Sequence, residues 1–186
     1  PNLSDRSIHL MRAEMPGPIV GKIVPRAKDT AKILYLIYVV LTLMEIFFLL
    51  VGGMPLFDSV VHSFGTAGTG GFGIKADSIG SYSPYIQWVI TIFMLIFGVN
   101  FNIYYLVLIR RFKSVVRSSE FWCYFGVVAV SVVAITANIY KMCNGFSEAL
   151  RLSSFQVASI ITTTGYATTD FNLWPELSKA ILFILM

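Results

Sequence analysis

Charged side chains are scarce in this sequence. Only 13% of its 186 residues are Asp, Glu, Lys or Arg, whereas an ordinary soluble domain has about 25%. Apolar residues make up 56% of the chain, and the mean hydropathy is +0.73. This composition argues against an ordinary water-soluble domain and predicts a chain that is mainly solvated by lipid.

Cysteine and histidine are also scarce, with two residues of each. Cys123 and Cys143 lie near opposite ends of one predicted helix, about 30 Å apart, which is too far for a disulfide. The sequence has no C-x-x-C pattern, and His9 and His62 do not suggest a metal site. It also lacks a Ser-His-Asp set and paired carboxylates at membrane depth, so we expect neither an enzyme nor a cofactor.

Long apolar runs predict membrane-spanning helices, because a helix needs about 20 predominantly apolar residues to cross a bilayer. Residues 85–109 and 121–140 contain no charged side chain, and residues 33–51 contain only Glu45. Glu45 is either a ligand in transport or, as the favoured alternative, a structural residue that is hydrogen-bonded to a neighbouring helix or exposed at the membrane interface. A fourth run begins at residue 180 and is seven residues long. Because the first residue is Pro1 and this run is so short, we expect an internal fragment of a longer protein.

The positions of the basic residues predict the orientation, since Lys and Arg are enriched on the cytoplasmic side. Two basic clusters place residues 1–32 and 110–120 in the cytoplasm and residues 52–84 and 141–179 outside. The cluster residues are Arg6, Arg12, Lys22, Arg26, Lys28 and Lys32, then Arg110, Arg111, Lys113 and Arg117. Membrane topology explains these charges better than nucleic-acid binding does.

The two outer segments follow the same order of events. In the first, Asp58-Ser59 is expected to cap a short helix that leads into the glycine-rich stretch at residues 65–73. In the second, residues 145–148 offer a cap, residues 149–161 form a short apolar helix, and residues 162–167 follow as a loop. A shift of 94 residues superimposes residues 69–72 on residues 163–166 and matches a Thr, a Gly and an aromatic residue. The chain therefore contains two copies of a helix, half-helix, glycine loop and helix unit.

Two such loops predict a pore. Irregular backbone persists at membrane depth only where it lines a wet cavity or is buried in protein. Glycine lets successive carbonyl groups turn toward a common axis, where their oxygens can replace the water shell of a cation. The short helices would also point their partly negative C-terminal ends at the membrane centre, which favours a cation.

Other interpretations fit less well. Gly68, Gly70 and Gly73 match the G-x-G-x-x-G dinucleotide pattern, but neither a preceding strand nor a following helix supports it. An unrelated re-entrant-loop transporter for an organic anion would point half-helix N-termini at its site instead. Four aromatic residues are expected in an interfacial belt. They are Tyr82, Tyr85, Trp88 and Trp174.

Three motifs resemble the TrkH family, the potassium-translocating subunits of bacterial Trk systems in the Trk/Ktr/HKT superfamily of cation transporters. TTTGYATTDFNLWP at residues 162–175 looks like the third pore loop of that family, and HSFGTAGTGGFG at residues 62–73 is similar to the second. RAEMPGP at residues 12–18 resembles the cytoplasmic segment before the second repeat. The resemblance covers nearly the whole chain.

The resemblance implies an all-α integral membrane protein with a potassium-channel-like, pseudo-fourfold pore made of four helix, pore-loop and helix repeats. Residues 33–109 would be the second repeat, residues 110–120 a cytoplasmic turn, and residues 121–186 a truncated third repeat. The filter glycines carry over to Gly71 and Gly165. The implied ion-binding residues are Thr69, Gly70, Gly71, Phe72, Thr163, Thr164, Gly165 and Tyr166.

For the whole protein, the resemblance implies potassium as the substrate and the bacterial inner membrane as the location, with several membrane spans. It also implies a homodimer and a TrkA-like cytoplasmic regulatory subunit that binds nucleotides. A sodium-permeable or sodium/potassium transporter of the same superfamily is the alternative. Channel-like flux and symport with another ion both remain open.

Overall fold

A computed structural model of the chain describes residues 27–108, 110 and 115–186. The motif at residues 12–18, most of the basic segment at 1–32, and residues 111–114 of the cytoplasmic turn lie outside the described residues. The described part is helical and contains no strand. The α-helices are α1 (Ala27–Val51), α2 (Leu56–Ala67), α3 (Pro84–Phe97), α4 (Phe101–Leu108), α5 (Ser119–Ile139), α6 (Phe146–Ile161) and α7 (Glu176–Leu185), with short 3-10 helices at Tyr140–Met142 and Phe171–Leu173.

Within the described residues, two helical stretches are long and apolar enough to cross a membrane. They run from Lys32 to Val51 in α1 and from Ser119 to Met142 through α5. Both carry large apolar side chains on their outer faces, for example Phe47, which is 61% exposed, and Val130, which is 71% exposed. Such faces are suited to lipid or to neighbouring transmembrane helices.

The hydropathy of residues 85–109 predicts one continuous helix, and this prediction is wrong. The run is divided between α3 and α4 by residues 98–100. A hydropathy pattern registers only that these residues are apolar, and it does not show whether the backbone is continuous. Gly98 lies at the break. Glycine is required at this position because a Cβ would come within 2.6 Å of Thr162 Cγ2 and of Tyr124 Oη.

Tyrosine hydroxyls bind carbonyl groups next to this break. Tyr124 donates to the Leu95 carbonyl at 3.2 Å, and Tyr104 donates to the Ile96 carbonyl. A break in a membrane helix leaves backbone carbonyls without their usual partners, and side-chain donors from neighbouring elements can satisfy them.

The two short helices begin earlier than predicted; the predicted Asp58-Ser59 cap is wrong, whereas the second helix is capped at Gly145, within the predicted residues 145–148. Helix α2 starts at Leu56, after Pro55, so that Asp58 lies in its first turn and Ser59 donates back to the Pro55 carbonyl at 2.9 Å. Pro55 is the N-cap residue, with φ −55° and ψ 148°, and it provides no side-chain hydrogen bond to the first turn.

Helix α6 begins at Phe146, with Gly145 before it. The Glu148 carboxylate reaches back to accept hydrogen bonds from the backbone N–H and side-chain amide of Asn144, both at 2.9 Å. These two bonds lower the pKa of Glu148, which lies outside the membrane-spanning segments.

The two units are packed on each other through α3 and α6. One buried cluster joins Ile90 and Met94 of α3 to Phe155 of α6 and to Tyr166 beyond it. A second cluster packs α5, α6 and α7 together through Val128, Val157 and Leu182. Ala67 at the C-terminal end of α2 also belongs to the first cluster, so that both short helices are packed among the longer ones.

Candidate functional site

Two glycine loops directly follow the C-terminal ends of the short helices. We call residues 68–73, after α2, the first glycine loop, and residues 162–167, after α6, the second. Each is fixed to the last turn of its helix by four backbone hydrogen bonds. In the first loop the bonds run from Gly68 N to Phe64 O (2.9 Å), Thr69 N to Thr66 O (3.1 Å), Gly70 N to Gly65 O (2.8 Å) and Gly71 N to Gly65 O (3.4 Å).

The second glycine loop repeats these bonds one for one at the predicted shift of 94 residues. They run from Thr162 N to Ala158 O (3.1 Å), Thr163 N to Ile160 O (3.0 Å), Thr164 N to Ser159 O (2.9 Å) and Gly165 N to Ser159 O (3.3 Å). The repeat inferred from three matched residue types is therefore also a repeat of backbone geometry.

The left-handed backbone positions repeat in the same way. Thr69 has φ +48° and Gly71 has φ +62°, while Thr163 has φ +55° and Gly165 has φ +84°. A threonine in this region is unusual, because its β-branched side chain clashes with the backbone there. Such strained residues are found where the surrounding structure holds the backbone in one particular path, often at functional sites.

The two loops touch each other through bare backbone. A Cβ on Gly71 would overlap the Thr164 carbonyl oxygen, so that only glycine fits at position 71. A Cβ on Gly165 would meet nothing within 4 Å, and the requirement for glycine there comes from its φ alone. The structure therefore brings the predicted residues 69–72 and 163–166 together at one place.

The aromatic residues that end the two motifs have different surroundings. Tyr166 is fully buried, whereas Phe72 is 74% exposed. The carbonyl of each accepts a hydroxyl group of the protein: Tyr166 Oη donates to Phe72 O at 3.0 Å, and Ser159 Oγ donates to Tyr166 O at 2.6 Å. Hydroxyl groups of the protein thus hold both of these carbonyls in place.

Threonine hydroxyls support the second glycine loop. Thr162 Oγ1 donates to the Ala158 carbonyl at 2.7 Å, and it lies 2.8 Å from Thr164 Oγ1. Thr163, by contrast, is exposed. Two of the three consecutive threonines therefore hold the loop through hydrogen bonds.

A hydrogen-bonded group of four side chains next to the glycine loops was not predicted from the sequence. The group consists of Asp58, His62, Tyr82 and Tyr166. The Tyr82 hydroxyl donates to Asp58 Oδ2 at 2.8 Å. The His62 ring lies between the two tyrosines, with Nε2 at 3.4 Å from Tyr82 Oη and Nδ1 at 3.3 Å from Tyr166 Oη. His62 is fully buried, and its contact with Tyr166 spans 104 residues of sequence, so no local pattern could have predicted it.

The expected aromatic belt is wrong for two of its four members. Tyr82 is 9% exposed and belongs to the group just described, while Trp174 is 7% exposed and packs in the cluster of α5, α6 and α7. Burial, followed by the hydrogen bond to Asp58, raises the pKa of Tyr82. The phenol is therefore protonated at neutral pH and can donate to Asp58.

Glu45 is fully buried, which rules out exposure at the membrane interface. Among the described residues, neither of its carboxyl oxygens has a well-formed hydrogen bond. The nearby Thr66 hydroxyl donates instead to the His62 carbonyl at 2.9 Å. Glu45 is therefore buried beside Thr66 in the last turn of α2, which leads into the first glycine loop.

The described residues offer no cluster of three or more His, Cys, Asp or Glu side chains that could hold a metal ion. Gly68, Gly70 and Gly73 lie in the first glycine loop after a helix, and no described strand precedes them. The backbone therefore lacks the strand, turn and helix arrangement that a dinucleotide site requires. Cys123 and Cys143 are both free.

Residues 1–126 match the family model of TrkH, described as a cation transport protein. The chain is 40% identical over 190 residues to the Trk system potassium uptake protein TrkH of Salmonella typhimurium, covering 98% of this chain and 39% of that protein. It is 32% identical to the Trk system potassium uptake protein TrkG of Escherichia coli, with 95% and 37% covered.

The fold is similar to the crystal structure of the potassium transporter TrkH from Vibrio parahaemolyticus. The TM-score is 0.81 at 28% sequence identity, over 89% of this chain and 37% of that one. The chain thus spans about two fifths of the length of the relatives that it matches. Its helical architecture and its relatives agree with the all-α membrane protein expected from the sequence, and the chain belongs to the TrkH family of cation transport proteins.

Proposed function

We propose that the full-length parent of this chain carries potassium ions across the bacterial inner membrane, and that the two glycine loops line part of the ion path. The observation that carries this proposal is the repeated loop geometry, with four matching hydrogen bonds and contact at Gly71 and Thr164. Backbone carbonyls held in such a fixed arrangement are the usual ligands of a dehydrated potassium ion. Relatives that match nearly the whole chain are named as potassium uptake proteins.

In this proposal, residues 33–109 and 121–186 are the second and third of four repeats, joined by a cytoplasmic turn at residues 110–120. The segment at residues 1–32 is cytoplasmic. The ion ligands come from residues 69–72 and 163–166. The parent crosses the membrane several times, forms a homodimer and binds a TrkA-like regulatory subunit, and it acts as a transporter rather than an enzyme.

The test is rubidium influx into bacterial cells that lack their own potassium uptake and produce the full-length parent with its regulatory subunit. Wild type should restore influx, and Gly165→Asp should abolish it at equal membrane abundance. The substitution places an anionic side chain in a glycine loop at φ +84°.

Gly53→Asp is the matched control for backbone strain. Gly53 has φ +83°, and a Cβ there also meets nothing within 4 Å, but it lies in the turn after α1 rather than in a glycine loop. We expect Gly53→Asp to retain most of the influx. Equal influx in wild type and Gly165→Asp would show that the second glycine loop does not line the ion path.

A further inference from the structure

We propose that His62 is a positioning residue for the ion path: it holds the hydroxyl of Tyr166, and through it the backbone of Phe72, so that the two glycine loops keep a fixed spacing. This inference rests on the proposed function, because it assigns a role to a residue behind the loops that are proposed to bind the ion. His62 itself does not touch the ion.

The Tyr166 hydroxyl is the link between the two loops. It lies among three acceptors of the first unit: Phe72 O at 3.0 Å, His62 O at 3.2 Å and His62 Nδ1 at 3.3 Å. Tyr166 itself belongs to the second glycine loop. Its side chain therefore crosses from one unit to the other and ends on the carbonyl of the aromatic residue at the equivalent position there.

Gly65 makes room for this crossing. A Cβ at Gly65 would overlap the Tyr166 hydroxyl, and it would also come within 3.2 Å of the Phe72 carbonyl oxygen. The equivalent residue in the second unit is Ser159, whose side chain donates to Tyr166 O instead. Glycine at position 65 is thus required by a neighbouring side chain and not by its own φ.

Hydrogen positions in the group follow from its donors and acceptors. Tyr82 commits its proton to Asp58, so the Tyr82 oxygen is left to accept from His62 Nε2–H. His62 Nδ1 then carries no proton and accepts from Tyr166, whose single hydroxyl proton it shares with the Phe72 carbonyl in a three-centre hydrogen bond. The half-buried Asp58 carboxylate therefore orients the imidazole of His62 through Tyr82.

Ring packing holds the imidazole as well. The His62 ring makes edge contacts with both tyrosine rings, with centroids 5.4 Å from Tyr82 and 5.6 Å from Tyr166. His62 and Tyr166 are both fully buried. Water cannot replace a lost partner there at little cost, so that deleting one group should move the others.

Glutamine at position 62 should reproduce the required order of donor and acceptor. Its amide N–H₂ can donate to Tyr82 and its carbonyl can accept from Tyr166. The chain already has glutamine at the equivalent position of the second unit, since residue 62 shifted by 94 is Gln156, which is 2% exposed. His62→Gln is therefore a conservative variant suggested by the protein itself.

The experiment measures rubidium and sodium influx in cells that produce the full-length parent with its regulatory subunit, at equal membrane abundance. His62→Ala and Tyr166→Phe should each lower the rubidium-to-sodium ratio about fivefold, since a neutral hydrogen bond contributes about 1 kcal/mol. His62→Gln should keep the ratio within about twofold of wild type, because its donor and acceptor are retained.

Tyr124→Phe is the matched control. It also removes a tyrosine hydroxyl that donates to a backbone carbonyl, Leu95 O at 3.2 Å, but this bond lies at the break between α3 and α4. We expect it to leave the ratio unchanged. A ratio that falls in Tyr124→Phe as far as in Tyr166→Phe would overturn the proposal.

A wild-type ratio in both His62→Ala and Tyr166→Phe also overturns the proposal. An equal loss of rubidium and sodium influx overturns it too, because a purely structural role would not distinguish the two ions. If His62→Ala does not accumulate in the membrane, Tyr166→Phe decides alone, since it removes a single oxygen atom. Absence of rubidium influx in wild type would instead contradict the proposed function.

Discussion

At the scale of single residues, glycine is needed for two different reasons in the two loops. Gly71 has a left-handed φ and also lies against the Thr164 carbonyl. Gly165 has the left-handed φ as well, but a Cβ there would meet nothing within 4 Å. Alanine in the left-handed region costs about 1–2 kcal/mol. Overpacking adds about 1–3 kcal/mol where no space exists.

We therefore predict that Gly71→Ala in the full-length parent loses far more rubidium influx than Gly165→Ala. Gly71→Ala should push the two loops apart, while Gly165→Ala should carry only the cost of its backbone conformation. Influx at equal membrane abundance, together with the thermal midpoint of the purified proteins, measures the difference. Equal losses would mean that contact between the loops has no part in transport.

The residues of the loops could be predicted from sequence, but the residues behind them could not. The shift of 94 residues and the threonine, glycine and aromatic pattern located both loops. His62 and Tyr82 gave no such signal, because their partners are distant in sequence and a buried tyrosine looks the same in sequence as an interfacial one. The proton order of Asp58, Tyr82 and His62 depends on distances that only the fold supplies.

At the scale of helices, the order of elements was predictable and their ends were not. The short helices α2 and α6 occur where the sequence placed them, but α2 starts before its predicted Asp58-Ser59 cap and α6 starts at Phe146 rather than at residue 149. Pro55 and Gly145 precede these starts, and neither provides a side-chain oxygen that a search for Asp or Ser caps could find. The break after α3 was missed because residues 85–109 contain no charged side chain and no proline that would mark it.

We predict that Gly98→Val destabilises the protein by about 1–3 kcal/mol, because its side chain would be forced against Thr162 and Tyr124 at the helix break. Gly126→Val is the matched control, since a Cβ at Gly126 in α5 meets nothing within 4 Å. Thermal unfolding of the purified full-length parent should show a lower midpoint for Gly98→Val only. A similar drop in both variants would refute close packing at the break.

At the scale of the whole molecule, the expected topology places the turn between α5 and α6 outside the cell and the start of α5 in the cytoplasm. The two free cysteines lie near these two places, Cys143 after α5 and Cys123 near its beginning. In a parent whose other cysteines are replaced, a membrane-impermeant maleimide should label Cys143 in intact cells and Cys123 only after the membrane is opened. The reverse pattern would invert the orientation.

The labelling of Cys143 should also depend on pH. Burial, followed by the nearby Glu148 carboxylate, raises the pKa of the Cys143 thiol, and only the thiolate reacts. Labelling should therefore be slow at neutral pH and become faster as the pH rises through the raised pKa. Glu148→Gln removes the negative charge and should increase the rate at a given pH. An unchanged rate in Glu148→Gln would contradict this electrostatic effect.

The central claim, that the two glycine loops line one cation path, is tested most directly by locating the ion. Crystals of the full-length parent soaked with rubidium should show an anomalous scattering peak beside the backbone of residues 69–72 and 163–166. We predict a peak on the axis between the two loops that is lost in Gly165→Asp. Ordered rubidium elsewhere in the membrane region, with none between these loops, would contradict the account.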